Sequence, residues 1–213
     1  KEVSYMEKID NFALQEFNAD NRLSHFVKAT NYFHFKNSPA LLLNPEVTTY
    51  DEQGKKDYVL TSERADYLDS GEISFKGKLN VHSSSGITHK MKTKELLVGT
   101  KTDDLVSNKK VTYLGENAKI VSQGMHMQTR DDKMKLTGKT VIKQDSGQKI
   151  LTKNLNIDQS NGQKHYYSKH NTTYLAKEDT IYSTGMDLDM QEKILQLSGK
   201  VKILQNPDRK SVV

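Results

Sequence analysis

Residues Ile73 to Met125 are written a second time 61 positions later, without a gap, with 13 of the 53 aligned pairs identical. Gly77-Lys78 falls on Gly138-Lys139, Ser85-Gly86 on Ser146-Gly147, Thr112-Tyr113-Leu114 on Thr173-Tyr174-Leu175 and Gly124-Met125 on Gly185-Met186. A third, partial copy follows, with Leu136-Thr137-Gly138-Lys139 returning as Leu197-Ser198-Gly199-Lys200. A fixed period of this kind marks a unit that cannot bury its apolar face alone and stacks on its own copies. The expected organisation is a single domain over 1–213. Its N-terminal strands span 8–72, its units span about 73–133 and 134–194, a partial unit spans 195–205, and the tail 206–213 is polar.

Within each unit the apolar residues recur every second position. Ile73, Phe75, Leu79 and Val81 alternate with Ser74, Lys76, Lys78, Asn80 and His82, the period of a half-buried strand. The copies keep this phase at Met134, Leu136 and Ile142, then at Leu195, Leu197, Val201 and Ile203. Strand starts at Val47, Leu79, Val111, Thr140, Thr172 and Val201 come about 30 residues apart, so each unit holds two similar halves. Ser84-Ser85-Gly86, Asp145-Ser146-Gly147 and Ser160-Asn161-Gly162 read as turns. Gly77, Gly138 and Gly199 stand in the apolar phase, where a missing side chain lets a sheet bend or leaves room inside. Upstream, Ala19 to Arg22 reads as a turn, Tyr32 to Phe35 as strand and Asn37-Ser38-Pro39 as a break, while Met6 to Phe17 admits either a strand or a short amphipathic helix. The predicted class is all-β: one continuous sheet wound as successive rungs.

Composition narrows the function. Only 34% of residues are apolar, which suits a curved sheet with one apolar face better than a thick two-sided core. There is no cysteine, which removes a disulfide framework, thiol catalysis and Cys-ligated zinc. No run of 18 apolar residues occurs. A chain starting at Lys1 is read as one whose N-terminal signal or anchor lies upstream. The net charge of +5 is either an ordinary solvated surface or an attraction to an anionic partner. His25, His34, His82, His89, His126, His165 and His170 form no spaced ligand pair and are expected at the surface, with His126 turned outward between Met125 and Met127. Asp103-Asp104 and Asp131-Asp132 fall in turns, whereas acid–base catalysis needs carboxylates converging on a pocket. The basic strings around His89-Lys90 and Lys92 to Lys94 lack the interleaved aromatics of a single-strand platform, so nucleic acid is not an expected partner. No phosphate-cradling glycine loop or nucleophile elbow is present. The chain is read as a non-enzyme with no catalytic residue, metal or cofactor.

What remains is the apolar stripe: Phe75, Leu79, Val81, Met91, Leu96, Val98, Val111, Tyr113, Ile120, Met125, Met127, Met134, Leu136, Ile142, Met186 and Leu188, extended by Ile73, Ile157, Tyr174, Ile181 and Ile203. It is either a self-filled core or an open trough lined by adaptable methionines that accepts acyl chains. Five of the seven methionines fall on it. The final strand, Lys200 to Gln205, with Val201, Ile203 and Leu204, is apolar and lightly protected, as suits pairing with another sheet edge.

These rungs resemble a known repeat. Ala65-Asp66-Tyr67, followed by Ile73 to Val81, has the A-x-Y … L-x-G-x-V-x-V cadence of the OstA-type repeat. The segments Ile9 to Phe17, Asn44 to Tyr50 and Val111 to Gly115 resemble the LptC family, over roughly residues 8–160. That resemblance implies a β-jellyroll of stacked antiparallel strands, open at both ends, whose interior holds the acyl chains of lipopolysaccharide. It further implies a periplasmic protein held at the inner membrane by an N-terminal helix that this sequence does not include. Its N-terminal edge would join the ABC transporter LptBFG and its C-terminal edge an LptA-like jellyroll. Residues 161–205 add a repeat that resembles LptA, which leaves a long LptC, an LptA and a fusion of the two all open. Lys76, Lys78, Lys139 and Lys200 are candidates for lipid phosphates at a rim, although alternation turns them outward. A structural scaffold that binds proteins through its outer face is the competing reading.

Overall fold

The structure, a computed structural model, describes residues 5–205 except 85, 101, 103 and 116. The tail 206–213, Ser85 of one expected turn and Asp103 of one acid pair lie outside the described residues. Among the described residues eighteen strands form one sheet, and every pairing is antiparallel. In chain order the first nine are β1 (Glu7–Phe17), β2 (Leu23–Phe35), β3 (Ser38–Leu43), β4 (Glu46–Tyr50), β5 (Lys56–Tyr67), β6 (Ile73–Ser83), β7 (Thr88–Val98), β8 (Asp104–Ser107) and β9 (Val111–Leu114). The rest are β10 (Ala118–Gln128), β11 (Lys133–Gln144), β12 (Lys149–Asp158), β13 (His165–Ser168), β14 (Thr172–Leu175), β15 (Asp179–Ser183), β16 (Gly185–Asp189), β17 (Ile194–Ser198) and β18 (Lys202–Gln205). The stretch that admitted strand or helix, Met6 to Phe17, is strand β1, paired along its length with β2. Pro39, expected to break the chain, lies inside β3.

The chain climbs by simple back-and-forth passes. Each pass, or rung, bends once, so the rungs build two arms that share a corner. Arm I contains β4, β9, β14, β15, β18 and the halves of the long strands that pair with them. Arm II contains β3, β8, β13, β16, β17 and the other halves. Long strands cross the corner through register shifts, at Ser62/Arg64 in β5, Phe75/Gly77 in β6, Ser122/Gly124 in β10 and Leu136/Lys139 in β11. A 61-residue repeat is four such rungs. Shifting β10 by the period yields β15 and β16, and shifting β11 yields β17 and β18.

The corner has a local chemical cause. Asn11, Asn44, Gly77, Gly138, Asn154 and Gly199 all stand at bends with positive φ, between 48° and 92°. Only glycine, and asparagine less readily, adopts that region cheaply. A bulge also strands backbone groups, and hydroxyls two residues away collect them. Ser122 Oγ donates to Gly124 O at 2.9 Å, Ser183 Oγ to Gly185 O at 2.9 Å and Thr93 Oγ1 to Glu95 O at 3.2 Å. Neighbouring rungs join through these hydroxyls as well, Thr93 to Ser107 at 3.0 Å and Thr152 to Thr172 at 2.9 Å. The repeat hides this spine in plain sight, because Ser122-x-Gly124 returns as Ser183-x-Gly185.

Side chains turned into the angle between the arms form one core. On arm I a ladder runs Leu79, Met91, Tyr113, Ile120, Ile142, Ile150, Tyr174, Ile181, Ile203, each directly opposite the next. On arm II the matching ladder runs Leu105, Met127, Met134, Ile157, Tyr166, Leu188, Leu195. Such cross-strand neighbours are the unit of sheet stabilisation, and a one-residue slip would turn each ladder to solvent.

Candidate functional site

All sixteen residues expected to line the apolar interior lie in the core. Phe75, Leu79, Val81, Met91, Leu96, Val98, Val111, Tyr113, Ile120, Met125, Met127, Met134, Leu136, Ile142, Met186 and Leu188 are each at most 3% exposed and share one cluster. From β5 to β12 the interior is filled by its own side chains. The cluster also takes in Val27, Leu42, Val47, Leu60, Leu105, Ile150 and Leu155; of these, Leu42, Val47 and Leu105 carry little pattern of their own because β3, β4 and β8 are short.

Cover is lost toward the C-terminal end. On the arm I ladder Ile150 is 0% exposed, Tyr174 and Ile181 are half-buried, and Ile203 is 62% exposed. Leu195 and Leu197 on arm II are half-buried too. Of the expected edge residues, Ile203 and Leu204 lie in β18, whereas Val201 stands just before it; all three are exposed. Among the described residues β18 pairs only with β15 and β17 only with β16, so the last rung carries a free edge there, as β1 does at the other end.

The free ends of the arms, opposite the corner, are joined by tyrosines. Tyr67 on arm II donates its hydroxyl to Glu16 on arm I at 2.6 Å. Tyr58 on arm I donates to the Asp132 carboxylate in the arm II turn after β10. Farther along, Tyr113 of arm I hydrogen-bonds Tyr166 of arm II and Gln159 in the turn before it. Burial first, then the adjacent carboxylate, raises the hydroxyl pKa of Tyr58 and Tyr67, so both remain protonated donors. Gly115 makes room for the third contact: a Cβ there would lie 3.0 Å from the Tyr166 hydroxyl. These three contacts form a seam along the side where the two arms would otherwise part. Sequence reading missed it, because its partners stand 51, 74 and 53 residues apart.

The histidines divide. His126 turns outward as expected, with Nε2 3.0 Å from Asp104 Oδ1. His25 and His89, expected at the surface, are instead buried at 0% and 1% exposed. The reason is register: both stand in the inward phase of arm I, beside Val27 and Met91. His89 Nδ1 is 3.2 Å from the Tyr113 hydroxyl, and burial pushes its pKa down to about 4. Among the described residues no group of three or more His, Cys, Asp or Glu is placed to hold a metal ion. Lys76 reaches Asp66 on the outer face. No helix of the described residues is long and apolar enough to cross a membrane.

A family model described as "Lipopolysaccharide-assembly, LptC-related" matches residues 4–143 and, a second time, residues 126–206. The second match takes in the added C-terminal rungs. No curated protein matches the sequence.

Proposed function

The chain belongs to the LptC-related family of lipopolysaccharide-assembly proteins, and from that premise we propose that it is a non-enzymatic periplasmic conduit that shields the acyl chains of lipopolysaccharide between its two arms. The observation that carries this reading is the pair of apolar ladders, continuous from rung to rung and progressively uncovered from Tyr174 to Ile203. Acyl chains enter at that uncovered end and move inward as the tyrosine seam parts. Transfer of apolar surface out of water supplies about 0.8 kcal/mol per methylene, so a few methylenes offset the loss of a seam contact. Methionines at Met91, Met125, Met127, Met134 and Met186 suit an interior that must repack around a chain.

We read the two free edges as the partner-binding sites. β1 carries Glu7, Lys8, Asp10 and Glu16, charges that blunt nonspecific pairing, and we assign it to the inner-membrane transporter LptBFG. The only charges on the last rung are Lys200 and Lys202, and it extends into an LptA-like jellyroll by strand addition.

Photocrosslinkers at Tyr174, Leu197 and Ile203 test the conduit, with outward His126 and Lys76 as controls. Lipopolysaccharide adducts at the first three alone are expected. Adducts at none of the five positions in folded protein would overturn the conduit and favour a scaffold that works through its edges.

A further inference from the structure

The outer face of arm I has a charge pattern that neither lipid shielding nor edge pairing requires. From β6 to β14 the arm I segments carry Lys78, Lys90, Lys92, Lys119, Lys139, Lys143, Lys149 and Lys153, all exposed, and no Asp or Glu. None of the eight pairs with a carboxylate among the described residues. This face alone carries +8 against a whole-chain net of +5, which leaves −3 for everything else. Arm II over the same stretch carries acids on its outer face, among them Glu95, Asp104 and Asp158.

The lysines also stand where a fold minimising its own energy would avoid them. Lys119 lies directly opposite Lys143, and Lys143 directly opposite Lys149. Lys78 opposes Lys92, and Lys139 opposes Lys153. Like charges in direct cross-strand register are destabilising, and neighbouring strands are only about 4.8 Å apart. Between these lysine pairs runs an outward apolar row in which Val121 opposes Val141 and Val141 opposes Leu151. Leu151 is 38% exposed, and Leu114, on the adjoining row opposite Lys119, is 49% exposed.

We propose that the outer face of arm I docks flat on an anionic phospholipid bilayer, with the lysines on the headgroup phosphates and Leu114, Val121, Val141 and Leu151 in the headgroup boundary. The mixture of charge and aliphatic surface selects a bilayer over a soluble polyanion, because a polyanion would neutralise the lysines and leave the aliphatic row wet. One sheet face presents all eight cations on the same side, and each adds about 1 kcal/mol near an anionic surface. Bound this way, the protein lies with its rungs stacked along the membrane and its lipid-shielding interior on the far side of arm I.

Vesicle flotation tests this with the full chain, using phosphatidylcholine alone and with about one-third phosphatidylglycerol, both free of lipopolysaccharide. Binding to the anionic vesicles alone is expected, weakening as salt shortens the screening length to about 3 Å near 1 M. Lys119→Gln/Lys143→Gln/Lys149→Gln relieves like-charge contacts and so folds; it is expected to lose about a hundredfold in affinity. Lys133→Gln/Lys135→Gln on arm II is expected to bind as the unaltered protein does. Leu151→Asn, which removes apolar surface and leaves the charge of the face unchanged, is expected to weaken binding without changing its salt dependence. Equal binding to neutral vesicles, undiminished binding by the triple variant, or capture of soluble polyphosphate in preference to anionic vesicles would each overturn the proposal. Crosslinking to lipopolysaccharide inside the arms reports on a different surface, so either reading can fail while the other stands.

Discussion

Tyr58→Phe isolates the seam from the core. Tyr58 is 1% exposed, and its ring packs with Leu60, Val81 and the rest of the cluster while its hydroxyl alone crosses to Asp132. Phenylalanine keeps the ring and opens no cavity, so the change removes one hydrogen bond to a charged acceptor. Such bonds contribute about 1.5–3 kcal/mol. Asp132 is only half-buried and regains water when its partner goes, which places the loss at the low end, about 1.5 kcal/mol. For a chain of this size that lowers Tm by about 4 °C. The local effect is larger than the global one: amides of β5 near Tyr58 and of the turn after β10 should exchange faster than those of the corner, because the arms part at their free ends first. Urea denaturation with hydrogen exchange resolved by peptide measures both. If the exchange of those two segments is unchanged while the corner is equally unaffected, the hydroxyl is not holding the arms together and the seam fails as a gate. Under the conduit reading the same variant captures lipopolysaccharide faster than the unaltered protein.

Other consequences are as direct. Gly77→Ala and Gly138→Ala both place a Cβ at positive φ, which costs about 1–2 kcal/mol. Nothing lies within 4 Å of a Cβ at Gly77, whereas at Gly138 it would sit 2.9 Å from Gln123 Cβ and displace the Gln123 amide oxygen from Lys139 N–H. Denaturant midpoints should therefore show Gly138→Ala the more damaging by about 1–3 kcal/mol. Ile142→Ala, at 0% exposed, should cost about 2–5 kcal/mol in the same assay. Ile203→Ala, at 62% exposed, should cost under about 0.5 kcal/mol. His89 has a folded pKa near 4, below its ordinary value. The unfolded chain therefore binds the proton first, and the contribution of His89 is fully present above about pH 6.5 and lost as pH falls toward 4. The loss amounts to about 3 kcal/mol. Comparing stability between neutral and acidic pH for His89→Phe and the unaltered protein should show that much less acid sensitivity in the variant.

Much of this architecture was legible in the sequence because it is periodic in two ways at once. Alternation fixes which residues face inward, so Phe75, Met127 and Ile142 are identified as interior without any knowledge of what they touch. The 61-residue repeat fixes how many rungs separate equivalent positions, and with them the bends at Gly77, Gly138 and Gly199. Both are properties of neighbours along a strand or of copies along the chain. Residue type alone points His25 and His89 to the surface, but in a sheet phase decides burial, and a histidine in the inward register goes inside. The seam had no sequence signal at all. Glu16 meets Tyr67, and Tyr58 meets Asp132, only because every rung bends at the corner and brings the tips of distant rungs face to face. The lysine field lies between these cases. Each lysine is visible as an outward residue, but Lys143 meets both Lys119 and Lys149 through strand register. Local stereochemistry and spacing thus determine the rungs, their inward faces and their bends. The pairing of strands and the folding of the sheet about its corner decide which charges share a face and which side chains close the interior, since those depend on distances that no interval in the chain encodes.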